Sequence, residues 1–261
     1  MMRRVWITFV SLAGGLVALT TAGCNGTYGG VSNPMPTNAS ATGIWGGTDS
    51  VTGLAVTGYI DPAGEAVFIR ADGVQFAGAT QVSGDTLVAA VVGCANFGSA
   101  FTDGSTYGLG TLNGTVASGS TLTLSLSFTT NGGTGETGSW SLTFSTLTNS
   151  GSSLNTISAN YTDTASGSVI SISGSGVMTG QNPANSCVVN GTITIINSSY
   201  DIYQVSLTYE NCTGSYAVLN GLQLTGLAVL NPNSSPTQLT ISVAGASSSG
   251  KFGLTLYLQG G

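Results

Sequence analysis

The stretch Leu122-Thr123-Leu124-Ser125-Leu126-Ser127-Phe128 alternates apolar and hydroxyl side chains without a break. Successive side chains of an extended chain point to opposite faces, so this segment has one apolar face and one wettable face. It has to lie on a core as a half-buried antiparallel strand. Similar runs, bounded by Gly, Asn or Asp, predict strands at 54–60, 66–69, 87–92, 139–144, 169–172, 188–196, 202–209, 239–243 and 253–258. The chain has 40 glycines among 261 residues, which argues against long helices, and no amphipathic helical period follows residue 24. Hydrophobic residues make up 41%, enough for a packed core, so the glycine content does not imply disorder.

The pattern also repeats at long range. Thr48-Asp49 with Gly53 returns as Thr162-Asp163 with Gly167. Phe76-Ala77-Gly78 aligns with Val189-Asn190-Gly191, Leu112-Asn113-Gly114 with Leu224-Thr225-Gly226, and residues 140–144 with 252–256. The offset drifts only from 114 to 112. The expectation is an all-β chain of two similar antiparallel β-barrel or β-sandwich units from an internal duplication. They would occupy 43–146 and 157–261, joined by a polar linker at 147–155. A single larger barrel shared by both copies is the alternative. Residues 25–42 are small and polar with two prolines, and read as a flexible tether.

Four cysteines occur: Cys24, Cys94, Cys187 and Cys212. Cys187 and Cys212 flank two strand-like runs joined by Asn197-Ser198-Ser199-Tyr200-Asp201, which reads as a hairpin with a five-residue loop. Pairing Ile195 with Tyr203 sets Cys187 opposite Asn211, one residue short of Cys212. A bulge near Glu210-Asn211 would bring the sulfurs together, so a Cys187–Cys212 disulfide is expected. Cys94 is left as a free, buried thiol. The first copy offers no matching pair.

Charge excludes whole classes of partner. Only 5% of residues are charged, and after Arg3 and Arg4 the chain keeps Arg70 and Lys251 against ten carboxylates. Nucleic-acid binding needs clustered Lys and Arg, and an electrostatic grip on anionic lipid needs them too.

The amino terminus supplies the one localising signal. Met1-Met2-Arg3-Arg4 precedes an apolar run to Thr20, and Thr21-Ala22-Gly23 precedes Cys24. Basic start, short apolar stretch and small residues make a secretory signal. The run is shorter than the ~20 residues of a spanning helix and contains Gly14-Gly15. With its cysteine, the segment resembles a bacterial lipoprotein signal peptide with a lipobox, although Thr21 stands where that family prefers Leu. The resemblance covers residues 1–24 and implies removal of 1–23, acylation of Cys24 and anchoring in a membrane by lipid. Asn25, where an Asp would imply inner-membrane retention, favours the outer membrane of a Gram-negative bacterium. The remainder resembles a β-rich envelope lipoprotein of no specific family. Gly43-Ile44-Trp45 is similar to the Gly-x-Trp opening of lipocalin-type barrels, and Trp45 reads as a core residue at a domain start.

Chemistry is sparse. The chain has no histidine, which removes the commonest general base and metal ligand and makes a Ser-His-Asp triad impossible. Gly108-Leu109-Gly110 and Gly174-Ser175-Gly176 imitate nucleotide loops but lack a following helix. The carboxylates sit mostly in turn-like contexts, and Asp49 and Asp163, at equivalent repeat positions, are expected to bond turn amides. No catalytic residue, metal ligand or cofactor is expected. The reading is a lipid-anchored, non-enzymatic envelope protein with a structural or interaction role. Its alternatives are a binding protein for a small apolar or carbohydrate ligand, and a carboxylate-dependent hydrolase.

Overall fold

The computed structural model describes residues 38–163, 166–247 and 250–261. The expected signal peptide, Cys24 with its lipid and most of the expected tether lie outside the described residues. The chain forms two closed, eight-stranded, up-and-down antiparallel barrels, and the alternative of one shared barrel is overturned. Barrel 1 consists of β1 (Gly43–Asp49), β2 (Ala55–Ile60), β3 (Glu65–Arg70), β4 (Gln75–Ser83), β5 (Thr86–Cys94), β6 (Tyr107–Ala117), β7 (Thr121–Thr130) and β8 (Gly135–Phe144). Barrel 2 consists of β9 (Asn160–Asp163), β10 (Val169–Ile172), β11 (Val177–Gln181), β12 (Val188–Ile195), β13 (Tyr203–Glu210), β14 (Gln223–Asn231), β15 (Gln238–Ser247) and β16 (Gly250–Gly260). β1 closes on β8 and β9 on β16.

Strand β7 shows the logic in pure form: its even-numbered residues are buried and Thr121, Thr123, Ser125, Ser127 and Thr129 are exposed. The inward face is hydrocarbon and the outward face is hydroxyl, the reverse of the apolar outer band of a membrane-spanning barrel. An interior formed by eight strands is just wide enough for side chains to fill. In barrel 1 Trp45, Phe68, Phe76, Phe128 and Trp140 fill it, each at most 2% exposed. Phe68 and Phe76 each lie within 5.4 Å of the Trp140 ring, and Phe76 meets Phe128 edge-on at 5.5 Å. Glycines make the room: a Cβ on Gly93 would lie 2.4 Å from Phe128, and one on Gly58 2.6 Å from Phe68.

The duplication is visible in the strand registers. Asp49 pairs with Trp140 in barrel 1 as Asp163 pairs with Leu258 in barrel 2. Carrying this match from strand to strand around both barrels returns to the same pair, so the two share one stagger. Cross-strand partners exchange bulk between the copies. Phe76 faces Gly93, whereas the matching Gly191 faces Leu207. Ala89 faces Leu112, whereas Tyr203 faces Ala228. At a third pair the bulk is gained rather than exchanged: Gly47 faces Val56, whereas Tyr161 faces Ile170. At these pairs the two barrels pack their cores with a different jigsaw.

This register corrects the landmark alignment read from the sequence. Asp49 does match Asp163, but Phe76 matches Gly191 rather than Val189, Leu112 matches Ala228 rather than Leu224, and Trp140 matches Leu258 rather than Phe252. The slips are all even. A period-two pattern looks the same after a two-residue shift, so alternation preserves the face and loses the register.

The expected linker is packed. A 3-10 turn at Thr146–Ser150 and a one-turn helix α1 (Leu154–Ile157) cross from β8 to β9, with Thr148 and Ile157 fully buried. The Ile44 amide donates to Thr148 Oγ1 at 2.8 Å, and the Asp201 amide donates to the Thr148 carbonyl at 3.0 Å. One linker residue therefore bonds both barrels. Outward-facing Ile44, Tyr59, Val67 and Ile69 of barrel 1 pack on Ile202, Leu227 and Val229 of barrel 2. Gln75 Nε2 donates to Thr255 Oγ1 at 2.8 Å across the same junction.

Candidate functional site

The acids were the only candidates for chemistry, and the structure places most of them in turns. Asp49 Oδ1 accepts from the Val51 and Ser139 amides and Oδ2 from the Thr52 hydroxyl, while Asp163 Oδ2 accepts from the Ser166 amide. Burial raises the Asp49 pKa, but these hydrogen bonds outweigh it and hold the carboxyl below its ordinary value. Asp61 accepts from the Ala63 and Glu65 amides, and Asp103 from Ser105. Asp72 and Glu136 do converge, but around Arg70, whose Nη2 lies 2.8 Å from Asp72 and whose Nη1 contacts Glu136. A guanidinium between two carboxylates is an ion-pair plug, not an acid–base pair. Among the described residues no cluster of three or more His, Cys, Asp or Glu could hold a metal. Gly108–Leu109–Gly110 lies within β6, and Gly174–Ser175–Gly176 forms the turn between β10 and β11.

The disulfide is present. The β12–β13 ladder runs from Ile195↔Tyr203 to Val188↔Glu210, as the hairpin reading expected. Beyond it Ser186 and Asn211 adopt left-handed backbone with φ of 59° and 58°, and Cys187 reaches Cys212 with Cα atoms 4.0 Å apart. Cys94 is free and buried, and burial pushes its thiol up to about 11 against the pull of Lys251.

A candidate site emerges where the two copies differ most. At one end of barrel 1, Val56, Arg70 and Val74 are consecutive partners, and the Arg70 side chain, 5% exposed, stops the interior. Its guanidinium lies 5.7 Å from the centre of the Phe76 ring. The matching partners in barrel 2 are Ile170, Gly180 and Val189. Gly180 has no side chain to replace Arg70, and Leu254 takes the place of Glu136. The end of barrel 2 is therefore unplugged, and a cavity of about 210 Å³ opens there.

Its walls come from both barrels. Ile170, Val189, Leu254 and Leu256 form an apolar floor, beside Cys187. Tyr209 and Tyr216 contribute aromatic surface, and Ser166, Ser168, Asn182, Asn185, Thr255 and Asp163 contribute polar groups. A 3-10 turn at Gly214–Leu219, shortly after Cys212, brings Tyr216 to the cavity wall. Barrel 1 supplies Asn96 and Phe97 from the loop after β5. That loop docks by hydrogen bonds from the Phe97 amide to the Gly253 carbonyl at 2.7 Å and from the Gly253 amide to the Ala95 carbonyl at 2.9 Å. The Phe97 ring sits 5.2 Å from both Tyr216 and Phe252. Burial raises the Tyr209 phenol, and nearby Asp163 and Tyr216 raise it further, so it stays a neutral donor. Asn96 Oδ1 is buried and receives no hydrogen bond.

Reading the sequence left this cavity unseen. The Gly180–Arg70 difference could have signalled it, since the second copy contains no cation in that region, but only after the registers were matched. No known protein family, curated protein or solved structure matches the chain.

Proposed function

We propose that this protein is a lipid-anchored component of the bacterial cell envelope, most simply of the outer membrane, with a non-enzymatic structural or interaction role. The observation that carries the location is the order of two arginines, a short apolar run and small residues before Cys24. The non-enzymatic reading is supported by the absence of histidine and by six of the ten carboxylates, Asp49, Asp61, Asp72, Asp103, Glu136 and Asp163, being committed to turn groups or to Arg70. In this picture the acyl chains hold the membrane and residues after Cys24 connect them to the paired barrels. Feeding cells an alkyne-bearing palmitate analogue tests it. The wild-type protein should be labelled and found in the membrane fraction, and Cys24→Ala should be unlabelled and released or unprocessed. A Cys24→Ala protein that loses its signal yet stays in the membrane removes the anchor reading.

A second reading, a binding protein for a small ligand, is favoured by the open end of barrel 2. In barrel 1 a buried aromatic cluster and Arg70 occupy the interior. Barrel 2 has room at its Gly180 end, at the junction with barrel 1.

A further inference from the structure

We infer that the open end of barrel 2 binds a neutral, polyhydroxylated ring, the size of one monosaccharide unit. The inference rests on the second reading above and names the ligand class for that same cavity. Size comes first. A volume of about 210 Å³ is below the ~300–1,000 Å³ of drug-sized pockets, so one ring fits and a longer ligand would have to project into solvent.

Charge comes next. No lysine side chain lines the cavity, and the plugging arginine of barrel 1 has no counterpart here. Among the described residues Asp163 is the only charged group lining it, and its Oδ2 is already engaged by the Ser166 amide and hydroxyl. An anionic ligand would therefore meet a carboxylate and no compensating cation.

The remaining surface mixes neutral hydrogen-bonding groups with rings. Asn96 lines the cavity from barrel 1 and adds a neutral amide to its polar wall. Tyr209, Ser168 and Asn182 lie around the same space, each less than a tenth exposed. Tyr216 and Phe97 add a pair of adjacent rings to the cavity wall. A sugar ring has hydroxyls around its edge for the amides and hydroxyls, and C–H faces for the aromatic surfaces. A purely apolar ligand would fill the floor but would leave the polar rim unpaired. Because Asn96 and Phe97 belong to barrel 1, the site is complete only when the two barrels are docked.

The test uses the purified full-length protein and saturation-transfer NMR with three probes: glucose, N-acetylglucosamine and cyclohexanol. At least one sugar should receive saturation, with affinity in the ~mM range. Asn96→Ala and Tyr216→Ala should each weaken that binding about tenfold while keeping the wild-type circular dichroism spectrum. Both changes remove only a side chain, and Asn96 docks the loop through its backbone neighbours. Sugar binding undiminished in both variants would place the sugar elsewhere and overturn the site. Binding of cyclohexanol alone would overturn the sugar class and leave the binding reading standing. If none of the three probes binds, the binding reading fails together with the inference.

Discussion

Arg70 and Gly180 occupy the same station in two barrels of one stagger. One barrel is stopped by a guanidinium held between Asp72 and Glu136, and the other is left open by a hydrogen atom. Arg70 also covers apolar surface, since it lies against Phe76. Arg70→Ala should therefore destabilise the protein by about 2 kcal/mol, through lost packing and two carboxylates left without their partner. Both partners are partly exposed, which keeps the cost below that of a fully buried pair. Arg70→Met should recover part of it by refilling the volume. Urea unfolding of the three proteins measures the series, and equal stability of Arg70→Ala and wild type would show that the plug contributes nothing.

The exchange of bulk between copies predicts a rescue. Gly93→Ala places a methyl group 2.4 Å from the Phe128 ring and should cost about 2 kcal/mol by overpacking. The matching positions in barrel 2 are Leu207 and Val243, so a smaller residue at 128 accommodates a larger one at 93. Phe128→Val alone should also destabilise, by leaving a cavity. The double variant should be more stable than the sum of the two single effects by about 1 kcal/mol or more. Strict additivity in a double-mutant cycle would mean that the two positions do not share space.

How much of this was legible in the sequence follows from what alternation encodes. Leu122–Phe128 announces its two faces because hydroxyl and hydrocarbon strictly alternate, and β7 has that burial pattern. Strands β1, β4, β6, β9, β11 and β14 fall outside the runs predicted from sequence, and β6 carries Gly108, Gly110 and Gly114 where a strand signal expects side chains. The hairpin between Cys187 and Cys212 was readable down to single pairs, because two cysteines and a short loop fix its register. The registers of the repeat were not, since two-residue slips leave the pattern unchanged. The cavity depends on those registers, on what Gly180 lacks, and on a loop from the other barrel that no local pattern could place there.

The disulfide should matter both for stability and for the cavity. It closes a separation of 25 residues, for which chain entropy gives about 3 kcal/mol. It also precedes the Gly214–Leu219 turn that carries Tyr216. Cys187→Ala combined with Cys212→Ala should lower the unfolding free energy by about that amount. Hydrogen exchange at residues 213–221 should accelerate more than exchange in β7. Unchanged melting of the double variant would mean that the cross-link does not constrain the unfolded chain.

The last prediction concerns Asp201, which is 1% exposed at the junction between the barrels. Among the described residues neither of its carboxyl oxygens has a well-formed hydrogen bond. Its backbone amide is bonded to Thr148, so the residue is held at the linker and cannot readily turn to solvent. Burial pushes the carboxyl pKa up to about 8, with only partial relief from the nearby Leu230 amide. In the unfolded chain an Asp titrates near ~3.9, so between about 4 and 8 the native state holds a proton that the unfolded state has lost. Stability should therefore fall as pH rises through that window, and the contribution should level off above about 8. The opposite trend is expected of Asp49, whose stabilisation grows as pH rises from its lowered value to the ordinary one and is constant above it. Asp201→Asn removes the titrating group while keeping its shape. Comparing unfolding free energies of the variant and wild type at several pH values cancels the common background. The variant's advantage should grow from pH 5 to pH 8. A difference that stays constant across that range would show that Asp201 titrates alike in the folded and unfolded chain.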